Sequence, residues 1–86
     1  MILALHIDKD EPGHYTARVL DCRAEVDEFA ASTIAAAIRE AAVRGYDAKG
    51  FHIWYGHVCI GTTSAYAMRH DGETLALRLV RLHAEF

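Results

Sequence analysis

The segment FHIWYGHVCIG, Phe51 to Gly61, narrows the choice of folds more than any other part of the chain. Two runs of alternating side chains flank Gly56-His57. Glycine at the first central position is what a two-residue type II′ hairpin turn requires. With the turn placed, the register follows. Tyr55 is expected opposite Val58, Trp54 opposite Cys59, Ile53 opposite Ile60 and His52 opposite Gly61. Phe51, Ile53, Tyr55, Val58 and Ile60 then share an apolar face. His52, Trp54 and Cys59 share the other, and His57 falls at the turn tip. The spacing His-x4-His-x-Cys matches no established zinc pattern, so no metal or cofactor is assigned to it.

The remaining segments follow from the same periodicity arguments. ILALHI is expected as a first strand, with Leu3, Leu5 and Ile7 on one face and His6 on the other. DKDEPG reads as a charged turn. HYTARVL is a second strand, with Tyr15, Ala17 and Val19 on its apolar face and His14, Thr16 and Arg18 on its polar one. CRAEVDEF is a short third strand, with Ala24 and Val26 opposed to Arg23, Glu25 and Asp27; its acidity suits a sheet edge. STIAAAIREAAVRG is a helix, capped by Ser32 or Thr33 and closed by Gly45. SAYAMR reads as a short helical turn capped by Thr63 or Ser64. Between Leu75 and Phe86 helical periodicity outweighs the Asp71-Gly72 hairpin signal, because Leu75, Leu79, Leu82 and Phe86 fall on one stripe. Asp71 is the expected cap.

The order β-β-(β)-α-β-β-α predicts a two-layer α+β domain over residues 1–86. Its antiparallel sheet of four or five strands would carry two helices on one face.

Size and charge argue against several functions. A chain of 86 residues with 52% hydrophobic content builds one thin core and leaves apolar surface, so self-association is expected. The formal charge of −3, with dispersed arginines, lacks the basic field of a nucleic-acid binder. No apolar run reaches the ~20 residues of a membrane helix. The first residues lack a signal peptide's basic start and cleavage site. Cys22 and Cys59 form no CxxC pair, so a reducing cytoplasm with free thiols is the expected setting.

DKDEPGHYTARVLDC followed by STIAAAIREAA resembles the opening of HicB-type antitoxins: a strand, a charged Gly-containing turn, a Tyr-bearing strand and a Ser- or Thr-capped helix. The resemblance runs from about Ile2 to Val43. It departs from the family in lacking the Pro-Gly-Cys loop before the third strand. The C-terminal half shows no operator-binding segment. The resemblance implies binding to a small basic toxin and assigns no residues.

The function expected from these features is a non-enzymatic protein-interaction module, homodimeric and antitoxin-like. Its interface would be the sheet face opposite the helices: Trp54, His52, Cys59, His6, Arg18 and Thr16. Trp54→Ala is expected to disrupt self-association there without disturbing the fold. The alternative is a small hydrolase or metal-dependent enzyme using the same His/Cys-rich face.

Overall fold

The computed structural model describes residues 2–85. The element order is β1 (Ile2–Glu11), β2 (His14–Asp21), β3 (Ala24–Ala31), α1 (Ile34–Val43), β4 (Gly50–Tyr55), β5 (Val58–Ser64), α2 (Ala65–His70) and α3 (Gly72–Glu85). The strands form one five-stranded sheet in the order β3-β2-β1-β4-β5. The fold is α+β, as the sequence predicts, with the third strand present but as long as β2, at eight residues, and the SAYAMR turn formed as a separate helix.

The sheet is mixed rather than antiparallel, because β4 pairs with β1 in parallel. Chain direction explains this. β1, β2 and β3 alternate, and α1 then carries the chain back over the sheet. The strand after α1 must therefore run with β1.

Alternation in the strands decides what is buried. Leu3, Leu5 and Ile7 of β1, Ala17 and Val19 of β2, Phe51 and Ile53 of β4 and Val58 of β5 join one core. Ile34, Ala37, Ile38 and Ala41 of α1, Met68 of α2, and Leu75 and Leu79 of α3 complete it. All three helices thus lie on one face of the sheet. The alanines of α1 let its backbone approach the strands closely. Phe86, expected on the α3 stripe, lies outside the described residues.

The helix starts are local. Thr33 Oγ1 accepts the Ala36 N–H at 3.0 Å, and Ser64 Oγ accepts the Ala67 N–H at 3.1 Å. Gly45 holds a φ of 86° just past α1, the left-handed conformation that ends helices. Asp71 precedes α3 as expected, but its backbone carbonyl is what accepts the Leu75 N–H, at 3.0 Å.

Several expected details differ. β1 runs on through DKDE to Glu11, because Asp8 and Asp10 face Arg18 and Thr16 across the open side and bond to them. The expected strand CRAEVDEF begins two residues later, at Ala24; Cys22-Arg23 instead forms the turn joining Asp21 to Ala24. The register of β3 shifts opposite Val19 and Leu20. This bulge reverses the expected alternation: Asp27 and Phe29 turn toward the helices, and Val26 is 53% exposed. In the hairpin, Tyr55–Val58 and Trp54–Cys59 pair as predicted, but His52 meets Thr62, not Gly61. Ile60 and Gly61 together oppose Ile53. Gly61, at a φ of 85°, takes the left-handed conformation that such a bulge favours.

Candidate functional site

The strand registers align one row of side chains across the whole open face. Glu28 of β3 faces Arg18 of β2, Arg18 faces His6 of β1, His6 faces Trp54 of β4, and Trp54 faces Cys59 of β5. A second row holds Leu20, Ala4, His52 and Thr62; a third holds Ala30, Thr16 and Asp8. All six residues expected at an interface therefore occupy the side of the sheet that the helices leave bare. Five strands supply the face, and no two of its neighbours across strands are neighbours in sequence.

At the centre, the His6 and Trp54 rings stack with centroids 5.5 Å apart and planes 8° from parallel. Burial under the indole lowers the pKa of His6, and the nearby Arg18 cation lowers it further; Asp8 opposes both. The shift favours the neutral imidazole, which suits an apolar stack. Arg18 Nη2 donates to Asp8 Oδ2 at 3.1 Å, an ion pair about half exposed on both sides. Thr16 Oγ1 donates to Asp10. The polar residues beside the stack are fixed by one another, leaving Trp54 as the large side chain without a polar constraint.

The nucleophile and metal readings find little geometry. His52 Nδ1 lies 3.0 Å from Thr62 Oγ1, and Cys59 Sγ accepts the Gly61 N–H at 3.2 Å. Among the described residues no hydrogen bond joins a cysteine to a histidine, and no three His, Cys, Asp or Glu side chains are grouped as metal ligands. Cys22 and Cys59 are free thiols.

His57 sits at the turn tip as expected, but it meets a neighbour the sequence does not reveal. Its ring lies 5.2 Å from that of His83, which in turn packs on Tyr55 at 4.7 Å. Asp8, Lys9, Tyr55, Gly56 and His83 border a shallow cavity of about 320 Å³ there. A second cluster was also illegible locally. Asp27, expected to be a solvated edge carboxylate, accepts from Tyr46 Oη at 2.6 Å and from Arg44 Nε at 2.9 Å. The Tyr46 bond foremost, then the Glu28 N–H and Arg44, holds the Asp27 carboxyl below the usual range. Burial and the same carboxylate push the Tyr46 hydroxyl up to about 12. This cluster ties β3 to the end of α1; it is structural in form. Only the acidity of β3 hinted at it.

No protein-family model, curated protein or solved structure matches this chain.

Proposed function

We propose that the chain is a small, non-enzymatic protein-interaction module that works as a dimer and receives a protein partner on its open sheet face. The observation that carries this is the stacked His6–Trp54 pair at the middle of a face assembled from all five strands. A half-buried tryptophan with no further role in the core, ringed by small and polar side chains, has the anatomy of a contact hot spot. Catalysis by a cysteine, in contrast, would need a base beside the thiol, and neither cysteine has one among the described hydrogen bonds.

The chemistry of the rim favours a basic partner. Asp8, Asp10, Glu25 and Glu28 border the face on the β1–β3 side, and the chain carries a net charge of −3. Potentials of opposite sign speed encounter and reject wrong partners. A small basic protein also agrees with the antitoxin-like resemblance of residues 2–43.

The test is affinity capture with wild-type and Trp54→Ala baits, identification of bound proteins, and measurement of the purified pair. The expected result is a small basic protein whose affinity falls about 30-fold or more on Trp54→Ala, the range of a hot-spot residue. Equal affinity for both baits would remove Trp54, and with it this face, from the function.

A further inference from the structure

The helical layer carries a second surface of different character. α3 buries Leu75 and Leu79 against the sheet, yet Leu77 and Val80 on its outer side are 51% and 46% exposed. They rim a groove of about 270 Å³ that runs between α3 and the start of α1 and is floored by Tyr15, Ile34, Ala35 and Ala76. Glu73, Leu77, Val80, Arg81 and Ala84 recur at helical spacing, so one strip holds an acid at its start, an apolar middle and a base near its end.

We infer that this strip is where two copies of the chain associate, α3 lying antiparallel to the second copy's α3 across a two-fold axis at Leu77. The inference deepens the dimeric reading above and rests on it.

Charge decides the occupant and its direction. Glu73 and Arg81 lie four residues to either side of Leu77. A two-fold at Leu77 brings each Glu73 to the second copy's Arg81, twice over. A parallel pairing would oppose like charges. Within the chain, Arg81 has no ion-pair partner among the described residues, and Glu73 is 83% exposed even while it meets Arg39 at 3.2 Å. The pair Leu77 and Val80 then enters the groove of the second copy, and the reverse, which is the self-complementarity an isologous contact needs.

Symmetry assigns the open face elsewhere. The two-fold of an isologous interface lies in the plane of that interface. Two-folds on opposite faces of a two-layer molecule do not meet, and combining them generates an open chain of molecules instead of a closed dimer. One face alone can serve a second copy. The helical strip has the self-complementary charge; the Trp54 face is left for the different partner proposed above.

Light scattering after size exclusion, over a range of micromolar concentrations, tests this directly. Wild type is expected at twice the chain mass, and so is Trp54→Ala, in place of the disrupted self-association expected from the sequence alone. Leu77→Glu should run as a monomer with its circular-dichroism melt retained, since Leu77 is exposed. Glu73→Arg and Arg81→Glu should each weaken dimerisation by roughly tenfold, and the double charge swap should restore it, because each copy again meets an opposite charge. A monomeric wild type, a dimer indifferent to Leu77→Glu, or a swap that restores nothing overturns the inference. Loss of the dimer in Trp54→Ala but not in Leu77→Glu also overturns it. Partner capture is measured separately, so its failure would count against the Trp54 face and not against α3.

Discussion

Ile53 and Trp54 are adjacent in β4 and project from opposite faces, so truncating each in turn tests the assignment of faces. Ile53 is fully buried, between Leu5 of β1 and the helices. Truncation to alanine removes an ethyl and a methyl group, roughly 2.5 kcal/mol of transfer free energy at about 0.8 kcal/mol per carbon. The cavity left in a close-packed core raises the cost to about 3–4 kcal/mol. A domain of this size has a stability on the order of 4–13 kcal/mol, so Ile53→Ala consumes a large part of it. The melting temperature should fall by roughly 12–32 °C. Trp54→Ala loses the stack on His6 and some cross-strand contact, about 1–2 kcal/mol, and leaves no internal cavity. Trp54 is the sole tryptophan, so fluorescence cannot follow both variants. Urea unfolding monitored by far-ultraviolet circular dichroism treats them alike. Equal losses, or a larger loss for Trp54→Ala, would falsify the assignment of faces and with it the site.

Two further outcomes follow from local geometry. The His6 imidazole should titrate below 6.5 by NMR; Arg18→Ala should raise its midpoint, and Asp8→Asn should lower it. Since folding depresses this pKa, its contribution to stability is complete above pH 6.5 and declines as pH falls from there through the folded midpoint. Cys22 holds a φ of 59° in an exposed turn, a conformation costly for any residue with a Cβ. Cys22→Gly should therefore raise stability by about 0.5–1 kcal/mol in thermal unfolding under reducing conditions, the rest of the strain relief being offset by glycine's greater unfolded freedom. No gain, or a loss, would mean that the turn is held by something other than its backbone.

Much of the site was legible because strands alternate with a period of two. Gly56-His57 set the turn of the hairpin, and alternation then put Trp54 and Cys59 on one face and Ile53 and Val58 on the other. The same rule in β1 and β2 separated His6, Thr16 and Arg18 from Leu3, Leu5, Val19 and their neighbours. Alternation fails where the backbone inserts an extra residue. The bulges at Ile60–Gly61 and near Val26 moved His52 opposite Thr62 and turned Asp27 toward Arg44 and Tyr46. A bulge leaves only a faint mark in a sequence: a glycine at Gly61, and nothing at Val26, whose exposure only the structure shows.

By itself the chain determined the order of its elements, narrowed the N-caps of α1 and α2 to pairs that include Thr33 and Ser64, and set the faces of the residues in β1, β2 and β4. These are short-range consequences of hydrophobic periodicity and of polar groups within a turn's reach. Only the tertiary structure decided that β4 runs parallel beside β1. That pairing joins residues far apart in sequence, and it stacks His6 on Trp54. It also brought His83 onto the hairpin turn and left Leu77 and Val80 uncovered between Glu73 and Arg81. Periodicity says that a side chain points inward or outward. What it then meets depends on which distant strand or helix comes to lie beside it, and that is set by how the whole apolar surface is best buried.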